Sequence, residues 1–171
     1  MRNVLIASVI LALLLSIPAS AQNAEKTKKL EPLPRDLEIQ LALSALPPHL
    51  RDNATVYVLN PDMGFEVARN GTNGFHALVA RPFNDTFRGT WPLKEYRDDI
   101  FVPVSFDEAG AKEHMRVVLD AAEMQAKGTP PQELKKIIQE RYKTHYYKAP
   151  EGAGVSHAVS DFQDLRESGF K

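Results

Sequence analysis

Between residues 55 and 81, three short runs rich in β-branched and aromatic residues follow one another with only turn residues between them: "TVYVLN" at 55–60, "FEVAR" at 65–69 and "FHALVAR" at 75–81. The joints are "NPDMG" and "NGTNG". Asn and Gly tolerate the left-handed backbone that a tight reversal demands, so each joint reads as a hairpin connection and the three runs as an antiparallel meander. A further strand is expected at "DIFVPVSF", where Ile100, Val102, Val104 and Phe106 share one face at period two. Pro103 on its other face cannot donate to a ladder, which places this strand at a sheet edge or beside a bulge.

Helices flank these strands. "RDLEIQLALSAL" from Arg35 carries a wide apolar stripe through Leu37, Leu41 and Ala45 and is stopped by Pro47-Pro48. Asp107 is placed to cap a helix with Ala111, Met115, Val118, Ala122 and Ala126 on one side and Gly128 at its end. Thr129 is placed to cap the next, "PPQELKKIIQERYKTHYY". The expected fold class is therefore α+β: a small antiparallel sheet, a meander of three to five strands, packed against an N-terminal helix and a C-terminal helical hairpin. A last short strand is expected at 155–159, after a Gly-rich turn.

The N-terminus reads as an export signal. Arg2 precedes an apolar run from Val4 to Ile17, then Pro18 and the small residues Ala19-Ser20-Ala21. A run of about 14 residues is shorter than the roughly 20 that cross a bilayer as a helix, so cleavage near Ala21 and a secreted or periplasmic product, with no transmembrane segment left, are expected. Residues 22–34, "QNAEKTKKLEPLP", read as a flexible linker, residues 35–160 as a single domain and residues 161–171 as a frayed or truncated tail. The chain has no cysteine, so no disulfide forms, and a bacterial setting is favoured. In that setting the sequons at Asn53, Asn70 and Asn84 read as turn chemistry. A formal charge of −1 lacks the basic excess of a nucleic-acid binder.

Chemistry-bearing residues are sparse in pattern. The five histidines, His49, His76, His114, His145 and His157, show no metal-ligand spacing, so neither a metal site nor a cofactor is implied. "GVSHA" at 154–158 looks like a nucleophile elbow, but a Gly-rich turn stands where a strand is needed and too little chain follows for the acid and histidine partners. The adjacent acids Asp98-Asp99 and Asp107-Glu108 point in different directions, and no catalytic residue is assigned. Residues 82–99, "PFNDTFRGTWPLKEYRDD", form a long aromatic loop. There Trp91, Phe87 and Tyr96, with Arg88 and with His76 nearby, are the candidate ligand-binding residues, suited to stacking on a sugar ring or flat ligand. The basic run Lys135, Lys136, Arg141, Lys143 and Lys148 reads as a solvated face or as a contact for an anionic surface.

The segment from "EIQLALSALPPHLRDNATVYVL" through "GTNGFHALVAR" to "KAPEGAGVSHAVS" resembles an uncharacterised family of secreted bacterial proteins over residues 38–160. The resemblance carries no activity. The reading that follows is an exported, non-catalytic binding or interaction module whose partner is another envelope protein or a cell-envelope glycan. The alternative is a small envelope hydrolase or metal-dependent enzyme using His76, His157 and a carboxylate such as Glu66 or Asp107.

Overall fold

β1 (Thr55–Asn60) and β2 (Gly64–Arg69) form an antiparallel hairpin, with Asn60 opposite Gly64 and an irregularity between Val56 and Tyr57. The computed structural model describes residues 29–82, 96, 100–149 and 154–157. The next strand breaks the expected meander. β3 (His76–Ala80) lies on the far side of β1 and runs parallel to it, with Thr55 beside His76 and Val56 beside Ala77. β4 (Val102–Phe106) and β5 (Ser156–His157) follow in antiparallel register, and the sheet order is β2-β1-β3-β4-β5. The class is α+β, as expected, but the sheet is mixed.

The reason lies in "NGTNG", which reverses the chain as a hairpin would but carries it past the start of β1, so that β3 pairs with β1 and not with β2. The backbone N–H groups of Thr72 and Asn73 both donate to the Asn53 carbonyl, at 2.7 and 3.2 Å, and the Gly71 N–H donates to Thr55 Oγ1. Thr55 N–H then reaches the Phe75 carbonyl, opening the parallel pairing. At the crossing, a Cβ on Gly71 would stand 2.3 Å from both Ala54 C and Thr55 N, so only glycine lets the two backbones pass.

Both faces of the sheet are covered. α1 (Arg35–Ser44), followed by the short α2 (Pro48–Arg51), buries Ala42 and Leu46 against Val56, Ala77 and Val79. α3 (Glu108–Ala126) covers the other face, with Met115 against Leu78, Val104 and Phe106. α4 (Pro131–Lys143) meets α3, and Leu134 and Ile138 join Val117, Ala121 and Met124 in a third cluster. The expected helical hairpin lying on the sheet is not clearly formed: α3 lies across the strands, and α4 packs on α3. Asp107 caps α3 by accepting from Gly110 N–H at 2.7 Å. Thr129 does not cap α4: its N-cap is Pro130, without a side-chain bond, and Pro131 occupies the first turn, where a missing N–H costs nothing. Pro103 pairs with Val79 of β3, on a part of β4 that β5 does not reach, since β5 pairs with Ser105 and Phe106.

Residues 29–34 correct the expected linker. Leu30 is buried in the third cluster and Lys29 bridges to Asp62 at 2.5 Å, so the domain begins before Arg35. The expected signal at 1–21, most of the linker, and the tail at 161–171 lie outside the described residues.

Candidate functional site

Of the candidate ligand-binding residues, Trp91, Phe87 and Arg88 lie outside the described residues. Tyr96 is buried rather than presented: its hydroxyl donates to the Thr129 carbonyl at 2.6 Å, and burial, with Glu133 beside it, pushes its pKa up. It ties the segment before β4 to the α3–α4 junction. His76 is half-buried at the start of β3, on the α3 face, with Nδ1 3.2 Å from the Tyr57 hydroxyl and the two rings stacked at 6.0 Å. Burial lowers its pKa, and the Glu108 carboxylate opposes that in part. A neutral imidazole accepting from Tyr57 is what that environment favours.

The strand histidines do not converge. Residues paired across neighbouring strands share a face. His157 is paired with Ser105, and Ser105 with Ala77, on the α1 side, whereas His76 is paired with Phe106 on the α3 side. The alternative site built on His76 and His157 is thereby overturned. Its carboxylates are engaged as well. Asp107 spends Oδ1 on Gly110 N–H and Oδ2 on Val155 N–H, which hold its carboxyl below the usual range. These bonds pin the start of α3 to the approach of β5.

Ser105 lies 3.4 Å from His157 Nδ1, a pairing of residues 52 apart that no sequence spacing announces. The serine is wholly buried, with its hydroxyl also 3.3 Å from the Ala45 carbonyl. A nucleophile must be reached by its substrate, and this one is sealed under the end of α1.

A second buried polar arrangement stands where β1 and β3 part. Their pairing ends at Val56 and Ala77. Beyond it, every second peptide on each facing side needs another partner. Glu38, from α1, and Arg81, just after β3, fill the gap. Leu59 N–H donates to Glu38 Oε1 at 3.2 Å, Arg81 Nη1 donates to the Val79 carbonyl at 2.6 Å, and Arg81 Nη2 donates to Glu38 Oε1 at 3.1 Å. The Arg81 guanidinium also lies 4.8 Å over the Phe101 ring. Arg81, which its place in the sequence puts beside the aromatic loop, is a core residue, and both side chains of the pair are 1% exposed.

The pair is incompletely matched: Glu38 Oε2 and Arg81 Nε have no hydrogen-bond partner among the described residues. Desolvation raises the Glu38 pKa more than the attraction of Arg81 lowers it. The Leu33 amide also lowers it, without a bond that satisfies Oε2. Glu38 lines a cleft of about 390 Å³ between the start of α1 and the β1–β2 turn. Pro32, Leu33, Val58, Leu59 and Pro61 form its apolar wall. Arg35, Asn60, Asp62 and Glu66 form its rim, where Glu66 accepts from Arg35 at 3.1 Å and from Asn60 at 2.9 Å. Those two bonds, Asn60 first, lower the Glu66 pKa. Glu38 and this cleft are not among the residues that sequence spacing singles out. A charged residue inside the stripe of α1 is their only signal, and such residues are usually solvated.

A second feature lies at the end of α4. Tyr146 is held between Arg116 and Arg141, whose guanidinium carbons stand 4.2 and 4.8 Å from its ring centre, while Tyr142 is 53% exposed. Arg141 also pairs with Asp120 at 2.6 Å, and Asp120 accepts from Tyr147.

Compared with known proteins, the chain matches no family model, no curated protein and no solved structure.

Proposed function

We propose that the protein is exported and acts as a non-catalytic binding or interaction module of the cell envelope. The observation that carries this reading is the cleft. It is a concavity with an apolar wall, a polar rim and one buried carboxylate oxygen still able to accept, which is the general composition of a small-ligand site. The groups considered for catalysis support it from the other side. His76 is bound to Tyr57, Asp107 is committed to two backbone amides, and Ser105 is sealed.

The test is a thermal melt of the protein with divalent metals, chelator, sugars, nucleotides, amines and peptidoglycan fragments. A ligand at a hundred times its dissociation constant adds about 2.7 kcal/mol, a shift of several degrees in a domain of this size. A saturable rise from one ligand class is the expected result. Turnover of a substrate panel, abolished by changing one polar residue, would overturn the reading.

The Arg116–Tyr146–Arg141 stack beside exposed Tyr142 favours a second reading, contact of the α3–α4 corner with an anionic envelope surface. It predicts liposome binding that rises with anionic lipid and falls with salt; binding indifferent to lipid charge removes it.

A further inference from the structure

We infer that the cleft between the start of α1 and the β1–β2 turn binds a small primary amine in its ammonium form, with Glu38 Oε2 as the acceptor. This rests on the reading of the protein as a binding module and names the ligand chemistry of its site.

The cleft offers one unused acceptor. An ionised carboxylate only accepts hydrogen bonds, and its two oxygens provide about four lone-pair sites. Glu38 fills Oε1 twice, from Leu59 N–H and Arg81, and leaves Oε2 without a donor among the described residues although the residue is 1% exposed. A ligand group that meets Oε2 must therefore carry N–H or O–H.

Charge selects among such donors. Three lining residues are carboxylates, Glu38, Asp62 and Glu66, against one lining cation, Arg35. Arg35 and Lys29, which neutralise Glu66 and Asp62, have side chains 52% and 57% exposed. Exposed pairs of this kind are weak, and long side chains leave them readily. Glu38, in contrast, is locked by its backbone contact. An ammonium brings three donors in a compact head, so it can displace the exposed cations at the rim and, once the cleft opens to that solvent-closed atom, satisfy Oε2. All three carboxylates are paired, Glu38 with Arg81, Asp62 with Lys29 and Glu66 with Arg35, so the preference for a cation rests on the two exposed pairs giving way. No three acids or histidines among the described residues converge as metal ligands, which favours a hydrogen-bonded ammonium over a chelated ion. The apolar wall, from Leu33 to Val58 and Pro61, matches a short alkyl stem, and about 390 Å³ is at the small end of the range that ligand sites occupy.

The experiment titrates the whole protein with n-butylammonium, butan-1-ol and butyrate, and follows backbone amide resonances. The expected result is saturable binding of butylammonium alone, with shifts concentrated at Leu33, Leu59 and Asn60. Glu38→Gln weakens it at least tenfold. Because that change touches a core pair and can unfold the chain, Arg35→Ala is the second variant. Removing the rival cation tightens butylammonium binding several-fold, whereas an exposed structural arginine would leave it unchanged. Equal binding of butan-1-ol, shifts that map elsewhere, or no gain in Arg35→Ala overturns the inference. If a sugar or carboxylate saturates the cleft instead, the amine falls and the binding module stands. If no ligand class moves these resonances or the melt, both fall.

Discussion

Gly71 is held by what a side chain there would strike. Its neighbours at the crossing are backbone atoms of Ala54 and Thr55, 2.3 Å from where a Cβ would stand, and backbone in a sheet cannot give way as a flexible side chain does. Gly71→Ala is therefore expected to cost more than about 3 kcal/mol and to lower the urea midpoint sharply. Gly128→Ala is the control: its φ of +79° strains any L-residue, but a Cβ there meets no described atom within 4 Å, so a loss of only about 1 kcal/mol is expected. His76 yields a prediction in pH. Its folded pKa lies below the ordinary 6.5, so the unfolded chain takes up the proton first. The stability it contributes is whole above pH 6.5 and declines as pH falls towards the folded value. Urea titrations at about pH 7.5 and 5.5, either side of the ordinary histidine value, are expected to show that decline in the wild type and a smaller one in His76→Gln.

At the scale of elements, the Glu38–Arg81 pair closes the gap left where β1 and β3 separate. Removing one partner strands a buried charge, and Arg81→Met is expected to cost about 3–5 kcal/mol in a urea melt. Replacing an isolated buried pair by apolar residues often restores stability. Here the pair also serves Leu59 N–H and Val79 C=O, so the double variant Glu38→Leu/Arg81→Met is expected to remain about 1–3 kcal/mol below the wild type for each orphaned backbone group. Full recovery would show that the pair does not substitute for ladder hydrogen bonds. The sign of its pH dependence is opposite to that of His76. With the folded pKa of Glu38 raised above 4.5, its contribution is greatest below pH 4.5 and falls as pH climbs towards the folded value.

For the whole molecule, the domain is a mixed sheet between α1 and α3, and it extends back to Leu30. Leu30→Ala tests that boundary: a tether residue would be silent, but a residue 5% exposed in a core cluster is expected to cost about 2–3 kcal/mol by thermal or urea melt. The individual elements were legible in the sequence. β-branched runs, an Asp cap and a Gly stop mark β1 to β4, α1 and α3 within a residue or two, because helix and strand are specified by periodicity and local backbone preference. The order of strands was not legible. "NGTNG" has the composition of a hairpin turn, and only the close approach of Gly71 to Ala54 and Thr55, which no local pattern announces, carries the chain past the start of β1 to its other side. Nor was the site. His76 and His157 are separated by strand register, which decides the face of every side chain, and Glu38 meets Arg81 across 43 residues because two parallel strands part and leave backbone groups to be satisfied. Local chemistry chose the pieces, and the pairing of distant backbones decided which side chains meet.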